Sequence, residues 1–390
     1  MRSSALPWRK GRLIVVAMCV PLSIVSIAGC GWQGERAAPP WVNGISQEFP
    51  PARYLVGVGQ ADTRSGAEEQ AYAAVSKIFK AEIEMQSKDW ESYLMVEDRS
   101  SAKTERRLVL DKVTQVSTEK VLENVRVLDA WFDAKTRQYY ALAGMDKAQA
   151  EPALLERIRE LDGTIATQVN EGRQASDKLV RVRNLKRAAK SMVVREAYNA
   201  DLRVIRSGGQ GEPPAYRVTE LMNELEQFLA ANLAVGVHID GEQAEPVRRA
   251  LIEGLAREGL SVVGAPGSVN AEGHAGIKPD FLVAGTVRLW PLDVRDPQFR
   301  FVRWCSDAVI EDPATKRVIG AVSKGGREGH LTEGEAVAKA VRVMQHEFAS
   351  DLARSIAGYI YGDLQLPSAS GTPPGCPRES RQPLSGAPHR

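Results

Sequence analysis

Residues 54–61, Tyr-Leu-Val-Gly-Val-Gly-Gln-Ala, run into Asp62-Thr63-Arg64-Ser65-Gly66-Ala67-Glu68 and then into an alanine-rich stretch. This passage decides how the chain begins to fold. Tyr54 to Val58 has the β-favouring composition of a short strand. Ser65 with Glu68 three residues later has the spacing of a capping box. Ala71, Val75, Ile78 and Phe79 then recur at helical intervals, which predicts a helix running to about Val96. Gly57 and Gly59 begin like a dinucleotide-binding loop, but the third glycine at the required spacing is missing. They are read instead as a strand end packed close against a neighbour.

Beyond that helix, apolar patterning predicts strands near 105–118 and 120–132, a polar turn at 133–137, and a returning strand over 138–145. A strand, a long helix and an antiparallel meander give a helix-on-sheet layer. Residues 146–206 are helical by period. Leu154, Ile158, Leu161, Ile165 and Val169 step by three or four, and the stripe resumes after Gly172 at Leu179, Val182 and Leu185, as in a helical hairpin. Residues 173–206 hold ten Lys or Arg against three Asp or Glu, which reads as a solvated helix face and secondarily as a surface for anionic glycan or lipid. The Gly- and Pro-rich run 206–217 marks a boundary. The last unit alternates strands and helices, with a capping box at Thr332 to Glu335 and a closing helix bearing Val337, Val341, Met344, Phe348, Leu352 and Ile356. The fold class is therefore α+β: an N-terminal helix-on-antiparallel-sheet module, a helical hairpin and a C-terminal α/β sandwich module. The expected divisions are a leader at 1–29, a tether at 30–50, modules at 51–146 and 215–364 flanking helices at 147–207, and a disordered tail at 365–390.

The amino terminus points to a location. Arg2, Arg9, Lys10 and Arg12 precede an apolar or small run over 13–29 that ends Ile27-Ala28-Gly29-Cys30. Basic, apolar and small-residue regions in this order form a secretory signal. The run is shorter than the ~20 residues of a membrane-spanning helix and is broken by Pro21, which disfavours the competing reading of a retained anchor. Ile-Ala-Gly-Cys resembles the lipobox of bacterial lipoproteins. That resemblance implies cleavage between Gly29 and Cys30 and lipid on the Cys30 sulfur; an ordinary signal cut beside a cysteine is the plainer alternative. Two or more chains would hold a membrane firmly, where one binds marginally. Gly31, in place of the aspartate that retains enteric lipoproteins, implies the periplasmic face of the outer membrane.

The 390 residues carry a formal charge of +2, and loss of the four basic leader residues leaves about −2. This balance gives no reason to expect nucleic acid. Cys305 and Cys376 remain after Cys19 and Cys30. An oxidising compartment permits a bridge between them, but the position of Cys376 in an aperiodic tail argues against a structural one.

The motifs in Pro39 to Gly44, Phe49 to Asp62 and Tyr139 to Lys147 resemble those of the Lpp-twenty lipoprotein family, with its Tyr-Leu-x-Gly-Val-Gly strand, Ala-rich helix and Tyr-Tyr-x-Leu-Ala strand. The resemblance covers about 40–150 and implies an envelope lipoprotein without established catalytic residues. The unit over 232–362 more loosely resembles the α/β domain shared by the TolB amino-terminal region, curli-secretion lipoproteins and activators of penicillin-binding proteins.

No catalytic set is legible. His238 lies in an apolar strand and reads as a structural histidine. His274, His330, His346 and His389 lack ligand partners at metal spacing, so no metal or other cofactor is expected. Ser323 to Gly329, with adjacent glycines, reads as a turn. Glu68-Glu69 and Glu82-Glu84 read as solvated charges. The aromatic clusters Trp131, Phe132, Tyr139, Tyr140 and Trp290, Phe299, Phe301, Trp304 read as cross-strand packing, with any exposed share forming a protein-binding patch. The expectation is a non-enzymatic outer-membrane lipoprotein, anchored through Cys30, that serves as a structural or interaction module with envelope proteins or peptidoglycan. Alternatives are an accessory or activating subunit of a cell-wall synthase or secretion assembly, and a cell-wall-acting enzyme with a cleft between domains. Arg288, Arg300 and Arg303 argue against lipid-facing strands.

Overall fold

Two glycines set the first contact of the fold. In the computed structural model, which describes residues 37–44, 46–90, 111–115, 123–264, 278–294 and 298–364, strand β1 (Tyr54–Ala61) underlies helix α1 (Arg64–Gln86). A Cβ on Gly59 would lie 2.1 Å from the Ala67 carbonyl oxygen and 2.3 Å from the Ala71 nitrogen. One on Gly57 would lie 2.8 Å from backbone atoms of Ala71 and Val75. Glycine alone permits this approach, and the helix answers with small residues, Ala67 and Ala71, before Val75, Phe79 and Ile83 fill the core. The close-packed reading of the glycines holds, though both lie inside the strand, which runs on to Ala61, rather than at its end. The cap lies two residues earlier than the capping-box pattern places it: Thr63 Oγ1 accepts from the Gly66 amide at 3.1 Å, and Ser65 is already helical. The helix also ends earlier than Val96, passing at Ser87–Trp90 into a 3₁₀ turn that buries Trp90.

The sheet is completed by β2 (Arg126–Asp133) and β3 (Gln138–Asp146), in the antiparallel order β1-β3-β2. Asp133 holds their turn by accepting from the Lys135 amide and the Thr136 hydroxyl at 2.9 and 2.8 Å. Residues 111–115 are helical, which corrects the strand expected across 105–118. Short apolar runs fit either period, and here Val113 packs on the core while Thr114 is buried. Residues 40–50 are likewise not free tether. Pro40–Asn43 form a 3₁₀ turn that buries Trp41, whose indole donates to Asp129 Oδ2 at 2.7 Å, and Phe49 meets Tyr54 edge-on. An indole buried with its N–H satisfied is a firm dock.

Helices α2 (Lys147–Gln174) and α3 (Lys178–Ile205) form the expected hairpin, capped by Asp146 and Asp177. The reading of 173–206 as a solvated basic face holds only in part. α3 is the spine of the molecule, touching α2, α1 and two helices of the second unit; Arg187 and Lys190 are exposed, while other cations in and beside it are engaged by internal partners. Arg195 has no exposed side chain. It donates to Asp162 at 3.0 Å, Glu196 at 2.7 Å and the Glu212 carbonyl at 2.9 Å. Arg206 joins Glu151 to Glu212, Arg173 pairs with Glu224, and Lys178 with Asp280. Lys186 holds Asp363. The stretch 207–216, expected as a boundary, is tied to α3 by Arg195, Asn199 and Arg206.

The second unit contains α4 (Val218–Asn232), β4 (Ala234–Asp240), α5 (Ala244–Arg257), β5 (Ser261–Gly264), β6 (Phe281–Leu292), β7 (Arg300–Asp312), β8 (Arg317–His330), α6 (Glu333–Val343) and α7 (Ser350–Tyr361). The sheet order is β5-β4-β6-β7-β8; β4 runs parallel to β5 and β6, and the remaining pairs are antiparallel. Thr332 caps α6 as its sequence predicts. A π turn at Met344–Ala349 joins α6 to α7 and sets Met344 Sδ against Ser306 Oγ. One continuous apolar core runs through both units and the hairpin, from Ala67 to Tyr361.

Candidate interaction face

Strand alternation divides the second sheet into two unlike faces. One side of β4, β6 and β7 carries Val235, Val237, Val283, Val287, Trp304 and Ile310, all buried in the core shared with α5, the π turn and α7. The register puts the intervening residues on the opposite face, in rows. His238, Ala284, Val309 and Ala321 make one row. Asp240, Thr286, Asp307 and Ser323 make the next, with the Ser323 hydroxyl donating to Asp307. Arg288, Cys305 and Gly325 follow, then Trp290, Arg303 and Arg327, and last Leu292, Phe301 and Gly329. Among the described residues no helix packs on this side of β6, β7 and β8.

The upper rows have a distinct chemistry. The Arg303 guanidinium lies 5.9 Å from the Trp290 ring centre, and that of Arg327 lies 5.3 Å from Phe301. Such exposed cation–π contacts contribute about 0.5–1 kcal/mol each and hold the guanidinium planes on the rings. Among the described residues, Arg288, Arg303 and Arg327 have no carboxylate within ion-pair distance. Two cations braced by rings, with Arg288 in the adjacent row, form a surface able to take an anionic or aromatic group. Of the aromatic clusters, Trp304 is core, Trp131 and Tyr140 as well as Phe132 and Tyr139 are cross-strand pairs, and Phe132 remains 44% exposed.

Ser323 to Gly329, expected as a turn, runs inside β8. The reason lies across the sheet: a Cβ on Gly326 would strike the Trp304 indole at 2.8 Å, and one on Gly329 the Phe301 ring at 2.5 Å. The glycines make room for aromatic rings on alternating sides. His238, expected to be a satisfied core histidine, is exposed on the open face with Nε2 3.2 Å from Asp240 Oδ1. Its strand is central, but its side chain points to the side no helix covers.

His330 Nδ1 lies 2.6 Å from Glu335 Oε2 near the α6 cap. Glu335 is held below the usual carboxylate range by the Thr332 hydroxyl and then by His330. His346 is exposed. His274, His389, Gly29, Cys30 and Cys376 lie outside the described residues. Glu68 pairs with Arg64, and Glu82 accepts from Gln86. Among the described residues no His, Cys, Asp or Glu cluster could hold a metal, and no helix is long and apolar enough to cross a membrane. A cleft of about 420 Å³ between the α3 start and the sheet end is lined by Asp177, Lys178, Asp280, Asp312 and Tyr359. Of its charged groups, Asp177 caps α3, Lys178 pairs with Asp280, and Asp312 accepts from Thr315; Arg317 lines it as well. Cys305 is 8% exposed and is disulfide-bonded. The cation–aromatic rows were legible only in part, because Arg327 enters them through a strand whose glycines read as a turn.

Residue-level comparison with solved structures returns distant likenesses. A secreted protein of Helicobacter pylori is 14% identical over 78% of this chain and 97% of its own, with a TM-score of 0.35. A Caulobacter crescentus protein described as a lipoprotein is 16% identical over 35% and 92%, with a TM-score of 0.22. A minor lipoprotein of Acinetobacter baumannii is 11% identical over 34% and 95%, also at 0.22. No curated protein matches the chain. Residues 39–146, the module of β1, α1, β2 and β3 with its docked Trp41 turn, match the LPP20 lipoprotein family, which bears out the resemblance read from Tyr54 to Gly59 and Tyr139 to Ala143.

Proposed function

We propose that this protein is a lipid-anchored bacterial envelope protein, held through Cys30 to the periplasmic face of the outer membrane and acting there as a non-enzymatic interaction module. The observation that carries this reading is the match of residues 39–146 to a lipoprotein family directly after a lipobox-like Ile27 to Cys30. Eight residues separate Cys30 from Pro39, and extended they span at most ~30 Å. With Trp41 docked on β2, the first module stays close to the bilayer that holds the anchor. The second unit then offers its open sheet face, with Trp290, Arg303, Arg327 and Phe301, as the surface for an envelope protein. In the cleft beside the α3 start, Lys178 and Asp280 neutralise each other, which supports interaction over catalysis.

The test is metabolic. Cells expressing the full chain are grown with tritiated palmitate beside cells expressing Cys30→Ser. Label on the first chain and none on the second is expected, with the labelled chain sedimenting with outer-membrane vesicles. An unlabelled full chain, released in soluble form on gentle lysis, overturns the reading.

A further inference from the structure

We infer, resting on the reading of the open sheet face as the partner surface, that an extended acidic segment of the partner protein adds to the outer edge of β8 as a further strand and lays its carboxylates on Arg303 and Arg327. The first observation is a charge conflict. Arg303 and Arg327 stand directly opposite each other in the β7–β8 register, both exposed, with exposed Arg288 in the adjacent row. Like charges directly opposite destabilise a sheet. Among the described residues none of the three has a carboxylate within ion-pair distance. Trp290 and Phe301 hold the guanidinium groups of Arg303 and Arg327 on their rings. Two fixed guanidinium forks side by side are the complement of carboxylates.

The second observation is the edge itself. The sheet order ends at β8, so the outer side of its backbone meets no further strand among the described residues. The β7–β8 register shifts between Ile310 and Glu311, but from Gly320 to His330 the pairing is regular. That stretch is longer than a typical strand of about 5–6 residues, and no proline interrupts it. An edge without proline or bulge offers a ladder of amides and carbonyls to an incoming chain.

The third observation is where the rings of β7 lie. A Cβ on Gly329 would meet the Phe301 ring at 2.5 Å, and one on Gly326 the Trp304 Nε1 at 2.8 Å. Phe301 on the open face and Trp304 on the other therefore both lie over glycines of the outermost strand. Trp304 is 3% exposed, and its buried Nε1 has no acceptor among the described residues. A buried donor without an acceptor is destabilising. A strand added ~4.8 Å beyond β8 would set alternate side chains on the two faces, beside these rings. Carboxylates suit the open face, next to Arg327, and hydroxyls suit the other, next to Trp304. A second copy of β8 fits less well, because it would bring its own Arg327 to the same face and add to the conflict. The site stops short of the row that holds Cys305.

The full chain, purified from membranes in detergent without reductant, is titrated with a fluorescent peptide about ten residues long that alternates aspartate with threonine. Binding is expected, and amides within 320–330 should exchange about tenfold more slowly, or slower still, in the complex. A peptide alternating lysine with threonine should bind about tenfold more weakly or not at all. Arg303→Glu combined with Arg327→Glu should reverse that preference; both positions are exposed, and urea unfolding checks that the variant folds. No binding by the aspartate peptide, or equal binding by the two peptides, overturns the proposal. Equal binding by the aspartate peptide N-methylated throughout, which keeps its charge and removes every backbone donor, would mean that the arginines take any anion, a lipid headgroup included, and overturns strand addition. Protection of 320–330 that grows with protein concentration in the absence of peptide assigns the edge to a second copy and overturns it as well. Palmitate labelling is read separately, so a labelled chain that binds no peptide keeps the anchor and loses only the strand.

Discussion

In the first sheet, α1 meets β1 across Gly57 and Gly59, and the obstacles to any side chain there are backbone atoms of the helix. In the second, Trp304, Phe348, Met344 and Leu352 fill the space between sheet and helices. The first arrangement is a fixed distance set by main chain, and it tolerates no addition. The second is a distance set by side chains, which can shift rotamers. The same contrast separates the open face of the second sheet, where Gly329 yields space to the Phe301 ring, from the first sheet, where glycine yields it to a helix.

The largest expected effect follows from that contrast. Gly59→Ala places a methyl 2.1 Å from a carbonyl oxygen that only a backbone shift can move. Overpacking of this kind costs typically 1–3 kcal/mol, and here about 3 kcal/mol or more because no side chain can give way. Gly285→Ala, in the second sheet, meets first the tip of Ile239 at 2.7 Å and then the Asp307 carbonyl at 2.9 Å. Its cost is about 1–2 kcal/mol. Urea unfolding of the two variants against the parent measures both. Equal losses would break the distinction between a main-chain and a side-chain spacing.

A second change asks whether the two sheets are independent at all. Arg195 lies between them on α3, wholly buried, with two carboxylates and two backbone carbonyls as acceptors. Arg195→Ala leaves those acceptors unpaired and is expected to cost about 2–3 kcal/mol. Because one core runs from Ala67 to Tyr361, the loss should appear as a single transition reported alike by Trp90 and Trp304. Two separated transitions would mean that the spine does not couple the sheets.

What could be read before folding follows the same physics. The Gly57–Gly59 strand, the α2–α3 hairpin, the Thr332 cap and the closing helix are local patterns, visible in residue period and spacing. The role of α3 was not visible. The cations of 173–206 look solvated because the acceptors that engage several of them, Glu224, Asp280 and Asp363 among them, come from distant segments. The open face was half visible. Trp290 and Phe301 stand out in β-like runs, but the row also needs Arg327 from a strand rich in glycine, and only the pairing of β7 with β8 places it there. His238 was misplaced because an apolar strand does not say which of its sides a helix will cover.

The smallest effect concerns the end of the first sheet, where Asp146 closes β3. Its carboxylate accepts from Arg53 at 2.9 Å and from the Ala148 amide at 3.0 Å, so one group ties the entry to β1 to the start of α2. The Arg53 hydrogen bond, reinforced by the Ala148 amide and the Arg53 charge and opposed by burial, holds its pKa below the usual carboxylate range. A folded pKa beneath the unfolded value of about 3.9 means that the stabilisation is complete at neutral pH. It is lost as pH falls through about 4 toward the folded value. Asp146→Asn keeps an acceptor for the helix amide but removes the charge facing Arg53. The variant should melt a few degrees below the parent at pH 7, and the gap should narrow steadily below about pH 4. In the second sheet Asp280, just before β6, takes the Ala234 amide and Lys178 in the same fashion, yet exposes more of its side chain. Asp280→Asn should therefore produce the smaller drop at pH 7. If it produces the larger one, the tighter-packed sheet is not the one whose end depends more on its carboxylate, and the contrast between the two sheets stops at their glycines.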